Sequence, residues 1–135
     1  MDKNILLIGG SHGIGLTIAK QLQGKYNLYV ASRTKEGLEG LDVNHIAFDA
    51  TSDELDPDLL PDVLHGFAYL PGSINLKPFK MMAMDTFQED MHINFFGMVK
   101  VTRTIMPKMA DKASMLFFST VAVATGMPFH TSVAA

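Results

Sequence analysis

A glycine-rich segment, Ile8-Gly9-Gly10-Ser11-His12-Gly13-Ile14-Gly15, has the residue types that a phosphate site needs. It follows a short aliphatic run and precedes residues with a helical period. The first N–H groups of a helix lack intrahelical partners, and the helix dipole adds positive potential, so anions bind there. Glycines at 9 and 13 would let a pyrophosphate approach the main chain, and Gly15 would let the helix lie against the sheet. We therefore predict a phosphate site at this turn.

The glycine spacing excludes two common phosphate motifs. It is G-x-x-x-G-x-G, and Ile18 stands three residues after Gly15, so the literal G-x-G-x-x-G pattern is absent. No Gly-Lys-Ser/Thr follows, which excludes a P-loop. An ordinary turn between a strand and a helix is the alternative interpretation. The position directly after an apolar run and before an amphipathic segment favours the phosphate site.

Five short apolar runs predict the strands that position this turn. They are Asn4–Ile8, Asn27–Ala31, His45–Phe48, Gly66–Leu70 and Ser114–Phe118. The runs are continuous rather than alternating, which suits strands that are covered on both faces. They also alternate with segments of helical period. This pattern is typical of a parallel sheet with crossover helices.

Two helices are predicted from periodicity. The first runs from Gly13 to Lys25 and has Ile14, Ile18 and Leu22 on one stripe. The second begins at Asp85, whose spacing from Gln88 is that of a capping box, and ends around Pro107. One stripe of this second helix consists of Phe87, Met91, Asn94, Met98 and Ile105. A buried amide requires partners, so we expect Asn94 to bond to the main chain or to an ordered water.

Composition narrows the class of protein. The 135 residues are 47% hydrophobic, with a net charge of -3 and no cysteine, which argues against a disordered chain and a disulfide scaffold. Eleven Lys and Arg against fourteen Asp and Glu give no basic excess for nucleic acid. The five histidines lie at least 20 residues apart, so no metal site is expected. Only four aliphatic residues, Ile5 to Ile8, precede the glycines, so we expect no membrane span and a cytoplasmic location.

The chain resembles the N-terminal part of the short-chain dehydrogenase/reductase (SDR) family. The family's cofactor loop, Thr-Gly-x-x-x-Gly-Ile-Gly, is matched from Gly9 to Gly15, with Ile8 in the place of Thr. Three later segments also resemble family motifs: Asp49-Ala50-Thr51, Ile93-Asn94-Phe95-Phe96-Gly97 and Ser119-Thr120-Val121-Ala122. The resemblance implies an α/β fold, a Rossmann-type doubly wound parallel sheet in three α/β/α layers with strand order 3-2-1-4-5. It also implies that residues 1–135 are one dinucleotide-binding domain, the N-terminal part of a longer SDR domain.

The same resemblance implies a cofactor site. Its predicted members are Gly9, Ser11, His12, Gly13, Ile14, Gly15, Ser32, Arg33, Asp49, Ala50, Pro71 and Gly72. Asp49 would contact the adenine, and Pro71-Gly72 would pass near the nicotinamide ribose. Tyr69-Leu70-Pro71-Gly72 departs from the family's Asn-Asn-Ala-Gly, so support from those side-chain amides is lost.

The end of the second strand predicts which dinucleotide is preferred. A carboxylate there would bind a free ribose 2'-hydroxyl, but this chain has Ala31-Ser32-Arg33. Arg33 could hold a 2'-phosphate in a forked contact, and the Ser32 hydroxyl could add a bond. NADP(H) is therefore favoured over NAD(H). The alternative is that Arg33 is a solvated loop residue.

The predicted catalytic residues form an incomplete set. The resemblance implies Asn94, Thr120 and Ser119 as members of the tetrad. In the family a proton-donating Tyr lies thirteen residues after the Ser, and here that count leads to Val133 from Thr120 or to Ser132 from Ser119. No Tyr follows Tyr69, and the position of the family Lys lies beyond Ala135. His130 and Ser132 are the conceivable stand-ins.

Two functions remain open at this stage. The first is an oxidoreductase that transfers hydride between NADPH and a small-molecule carbonyl or alcohol. The second is a non-catalytic dinucleotide-binding or scaffolding homologue, which Val133 in place of Tyr favours. In either case we expect a homo-oligomer. Neither nucleic acid nor a membrane is an expected partner.

Overall fold

The computed structural model describes residues 2–135, in which one parallel sheet carries helices on both faces. The strands are β1 (Asn4–Ile8), β2 (Asn27–Ser32), β3 (Asn44–Ala47), β4 (Leu64–Tyr69) and β5 (Met109–Phe117). Their order across the sheet is β3-β2-β1-β4-β5, and every neighbouring pair is parallel. The predicted fold class and strand order are thereby confirmed. The bounds of β1 are as predicted, whereas β5 begins five residues before its predicted start because Met109 already pairs with Leu64.

Alternate side chains of the central strand supply two separate cores. Leu6 and Ile8 pack in one buried cluster with Val101 and Ile105, on one face of the sheet. Leu7 packs in the other cluster with Ala19. Successive side chains of a strand point to opposite faces, so a continuous apolar run can fill both cores.

Four α-helices lie among the described residues. They are α1 (Gly13–Leu22), α2 (Met84–Met91), α3 (Gly97–Ile105) and α4 (Thr131–Ala134). Two predicted bounds were wrong: α1 ends at Leu22 rather than Lys25, and the N-cap of α2 is Ala83 rather than Asp85. The Ala83 cap carries no side-chain hydrogen bond, so the predicted capping box does not form. None of the helices in residues 2–135 is long and apolar enough to cross a membrane.

A π-helical turn, His92–Phe96, joins α2 to α3. The π-turn closes hydrogen bonds five residues apart and holds one more residue than an α-turn, so it rotates the buried face. Of the predicted stripe, Ile105 is buried, and Phe87, Met91, Asn94 and Met98 are half-buried. The buried members of α2 and α3 are Asp90, Gly97, Val101 and Ile105.

Candidate functional site

A cleft of about 550 Å³ opens where β1, β2 and β4 end. In parallel α/β sheets, ligands bind at this edge, where the strand order reverses about the first strand. All of the residues predicted to bind a cofactor line the cleft: Gly9, Ser11, His12, Gly13, Ile14, Gly15, Ser32, Arg33, Asp49, Ala50, Pro71 and Gly72. The three predicted catalytic residues, Asn94, Ser119 and Thr120, do not line it.

The glycine turn brings two stretches of main chain into direct contact. Gly9 has a φ of 81°, a left-handed conformation that a side chain would strain, and its N–H donates to the Ala31 carbonyl at 2.8 Å. A Cβ added at Gly15 would lie 2.4 Å from the Gly9 carbonyl oxygen. Only glycine at both positions lets α1 start this close to the end of β1.

The N-terminus of α1 keeps its first amides clear of side-chain caps. His12 is the N-cap and makes no side-chain capping bond. Its Nδ1 lies 2.9 Å from the hydroxyl oxygen of buried Ser11. Of the predicted stripe of α1, Ile18 and Leu22 pack against the second core, whereas Ile14 is 62% exposed and lines the cleft. Gly15 and Ala19 are the buried residues of α1.

The end of β2 presents a cation but not the predicted hydroxyl. Arg33 is exposed and lines the cleft. The Ser32 hydroxyl is buried, donates to the Thr34 carbonyl at 2.8 Å and lies 3.0 Å from Nε2 of His45. A 2'-phosphate would have to displace one of these two partners, so the geometry gives no support to a bond from this hydroxyl.

Asp49 follows β3, the neighbour of β2 in the sheet, and lines the cleft. Its Oδ1 accepts hydrogen bonds from the Thr51 hydroxyl at 2.6 Å and from the Thr51 N–H at 2.9 Å. These two bonds, aided by the charge of Arg33, hold the pKa of Asp49 below its usual value despite partial desolvation. Asp49 is therefore ionised at neutral pH, and Arg33 and Asp49 place opposite charges in one cleft. Thr51, which lines the cleft too, was absent from the predicted site.

Asn94 does not line the cleft but holds the loop next to it. Its amide bonds to both main-chain groups of Ser73, the residue after Gly72. The expectation of main-chain partners for this amide was correct. Beside it, the Tyr69 hydroxyl donates to the Ile93 carbonyl at 2.6 Å and occupies the notch left by Gly97, where a Cβ would lie 2.6 Å from that hydroxyl.

Within residues 2–135, the two conceivable stand-ins for the family Tyr and the neighbouring hydroxyls already have hydrogen-bond partners. Tyr69 is 4% exposed, and burial raises its pKa to about 12. The Ser132 hydroxyl is also buried and donates to Asp90. Thr120 Oγ1 accepts from the Ala122 N–H at 3.2 Å, and His130 Nδ1 lies 2.6 Å from the Pro128 carbonyl. Val133 is half-buried.

Sequence reasoning missed two parts of the site. An apolar wall of the cleft comes from strand ends and the π-turn, namely Leu70, Ile93 and Phe118. The second part is Asp90, which is fully buried and joins three segments through its carboxylate. Asp90 follows Glu89 in a helix that has exposed polar positions, and this sequence pattern is typical of a solvent-exposed carboxylate. No sequence signal marks it as buried.

The chain belongs to the short-chain dehydrogenase family, because the family model for the short chain dehydrogenase matches residues 3–134. This confirms the family resemblance that was drawn from the glycine turn and the later motifs. No curated protein matches the sequence.

Solved structures share the fold at low sequence identity. A short chain dehydrogenase family protein from Francisella tularensis has a TM-score of 0.88 at 16% identity, over 98% of this chain and 57% of its own. An SDR described as glucose/ribitol dehydrogenase, from Brucella melitensis, has a TM-score of 0.84 at 19% identity, over 98% of this chain and 63% of its own. A 4-hydroxyisoleucine dehydrogenase complexed with NADH and succinate has a TM-score of 0.81 at 15% identity, over 96% of this chain and 64% of its own. This chain therefore spans about three-fifths of the length of these structures.

Proposed function

We propose that this chain binds NADP(H) in the cleft and belongs to an oxidoreductase that transfers hydride between NADPH and a carbonyl or alcohol. The observation that carries the proposal is the contact between Gly9 and Gly15, which leaves the N-terminal amides of α1 open to the cleft. A pyrophosphate would accept hydrogen bonds from those amides and gain from the helix dipole. Family membership supports a nicotinamide dinucleotide as the ligand.

The opposite charges of Arg33 and Asp49 in the cleft support a particular orientation for the adenosine. The Arg33 guanidinium at the end of β2 would pair with the 2'-phosphate, since no carboxylate stands there to repel it. The carboxylate of Asp49, ionised and held by Thr51, would accept a bond from the adenine amino group. NADP(H) is the proposed cofactor on this ground.

The nicotinamide would then lie near Pro71, Gly72 and the apolar wall. Leu70, Ile93 and Phe118 would exclude water from the ring, which suits hydride transfer. When bound, the cofactor would supply the hydride. The chain's own residues would bind its phosphates, fix its adenosine and shield the ring. Asn94 would act on the reaction by holding the Ser73 main chain. Ser119 and Thr120, which follow Phe118 of the apolar wall in sequence, would bind the substrate oxygen.

Binding and turnover should be measured separately. Titration calorimetry of the purified chain with NADPH and NADH tests the cofactor, and we expect tighter binding of NADPH. Oxidation of NADPH with a panel of aldehydes and ketones, followed at the nicotinamide absorbance, tests hydride transfer. Absence of binding to either dinucleotide would overturn the whole proposal, whereas binding without turnover would support the non-catalytic homologue. The cytoplasmic location and homo-oligomeric assembly stay predictions, which cell fractionation and sedimentation velocity would test.

A further inference from the structure

Asp90 is a carboxylate removed completely from solvent, with a relative exposure of 0%. Its Oδ1 accepts hydrogen bonds from the Ser73 hydroxyl at 2.5 Å and from the Asn75 side-chain amide at 2.8 Å. Its Oδ2 accepts a bond from the Ser132 hydroxyl at 2.5 Å. No cation among residues 2–135 pairs with it. Among the described residues, the three neutral donors Ser73, Asn75 and Ser132 therefore compensate for its burial.

These donors keep the buried group ionised. Burial by itself would raise the pKa of Asp90, but the hydrogen bonds from Ser132, Ser73 and Asn75 outweigh it and hold that pKa below its usual value. Hydrogen bonds to a charged acceptor are roughly twice as strong as neutral ones. At neutral pH the carboxylate is a strong acceptor for all three groups.

The three donors come from segments that are distant in sequence. Ser73 and Asn75 belong to the loop after β4, and Ser73 directly follows Gly72, which lines the cleft. Ser132 lies in α4, beside Val133. The Ser73 main chain is held in addition by both polar atoms of the Asn94 amide. Asp90 thus joins α4 to the cleft loop by hydrogen bonds. One main-chain bond, from the Lys77 N–H to the Phe129 carbonyl at 3.3 Å, links the same loop to the residues just before α4.

We propose that Asp90 is a positioning residue that couples α4 to the cleft loop, so that the Ser132 hydroxyl helps to set the position of Gly72. Its consequence for dinucleotide binding rests on the function proposed above. Ser132 lies outside the cleft and donates a hydrogen bond to Asp90, so in this arrangement it supports the site and is not a proton donor to substrate. The coupling itself can be measured without any cofactor.

Hydrogen exchange at the Ser73 amide is the direct test, because this N–H donates to Asn94 and reports the position of the loop. Ser132→Ala removes one donor from Asp90, and Ser132→Thr keeps a hydroxyl at the same place. In the chain without ligand, we expect Ser132→Ala to speed exchange at Ser73 about fivefold, the factor that corresponds to a hydrogen bond of about 1 kcal/mol. Ser132→Thr should restore the slow exchange. Faster exchange confined to residues 130–134 would overturn the coupling.

Two further variants distinguish the coupling from a general loss of stability. Thr104→Ala removes a hydroxyl bond to a neutral acceptor, from Thr104 Oγ1 to the Lys100 carbonyl at 3.2 Å in α3. It should leave exchange at Ser73 unchanged, and an equal effect from it would also overturn the proposal. Asp90→Asn should release Ser73 in the same way, and if that variant does not fold, Ser132→Ala and Ser73→Ala carry the test.

The Kd for NADPH tests whether the coupling affects cofactor binding. If the unmodified chain binds NADPH, Ser132→Ala should raise the Kd about fivefold, and Ser132→Thr should restore it. Coupled exchange with an unchanged Kd would overturn the role of Asp90 in positioning the cofactor loop. If the unmodified chain binds no dinucleotide, the proposed function fails, and the exchange measurement still decides whether Asp90 couples the two segments.

Discussion

The side-chain amide of Asn94 holds the main chain of Ser73 by two bonds: Oδ1 accepts from the Ser73 N–H at 2.9 Å, and Nδ2 donates to the Ser73 carbonyl at 3.0 Å. An amide is suited to this task because it offers an acceptor and a donor side by side. The π-turn that carries Asn94 brings it opposite the loop after β4. The Asn of the family motif is thus a part of the cleft's support.

Asn94→Ala should destabilise the chain and weaken dinucleotide binding. Both main-chain groups of Ser73 would lose their partners, and an unsatisfied group that stays buried costs about 1–3 kcal/mol. Denaturant unfolding gives the loss of stability, and calorimetry gives the Kd. Asn44→Ala is the matched control, because its Nδ2 bonds one carbonyl, that of Leu28, away from the cleft. A Kd that changes no more in Asn94→Ala than in the control would contradict this role.

Gly15→Ala should disrupt the turn itself. The added Cβ would lie 2.4 Å from the Gly9 carbonyl oxygen, so α1 or the turn has to move. We expect about 1–3 kcal/mol lost from the free energy of unfolding and a Kd for NADPH raised more than about tenfold. Gly24→Ala is the control, because its φ of 74° is strained for alanine but nothing lies within 4 Å of its Cβ. That variant should lose stability and keep its affinity, so an equal loss of affinity in both would count against the turn as the binding site.

Arg33→Ala should change cofactor preference rather than binding in general. A guanidinium paired with a 2'-phosphate makes charged hydrogen bonds of about 1.5–3 kcal/mol, which predicts a Kd for NADPH raised about 10- to 100-fold. The Kd for NADH, which lacks that phosphate, should change little. Lys35→Ala removes an exposed cation two residues away that does not line the cleft. Equal effects of the two variants would indicate a general loss of positive charge and not a 2'-phosphate site.

Tyr69 should make the chain less stable at high pH. Burial raises its pKa to about 12, above the value of about 10 for an exposed phenol. A folded-state pKa above the unfolded one gives stability that is fully present below pH 10 and is lost as pH rises through 12. The loss should approach about 2–3 kcal/mol, at 1.36 kcal/mol for each pH unit between the two pKa values.

Denaturant unfolding at pH 9.5 and 11.5 measures this effect. The comparison is with Tyr69→Phe, which keeps the ring and removes the titrating hydroxyl, so that pH effects from the rest of the chain are common to both proteins. Tyr69→Phe should be less stable at the lower pH, because the Ile93 carbonyl loses its 2.6 Å partner, and should lose less stability on going to the higher pH. Parallel pH dependence in the two proteins would show that Tyr69 is not the group responsible.

The sequence predicted those parts of the site that depend on local pattern. The glycine turn, Arg33 and Asp49 each follow an apolar strand, and parallel strands bring their carboxyl ends to one edge, so their convergence in one cleft could be expected. The predicted helix stripe was incomplete for a physical reason. Apolar periodicity assumes a constant turn and counts only apolar side chains, so it neither predicted the π-turn at His92–Phe96 nor marked Asp90 and Gly97 as buried.

What the sequence determined by itself was the order of strands and helices and the glycine turn, because continuous apolar runs and residues without a Cβ act through local sterics and burial. Only the tertiary structure determined the hydrogen-bond partners of the polar side chains. The Ser32 hydroxyl donates to the Thr34 carbonyl, and Asp90 accepts hydrogen bonds from Ser73, Asn75 and Ser132. A buried polar atom takes whichever partner the fold brings within about 3 Å, and that partner is fixed by packing between segments far apart in the chain.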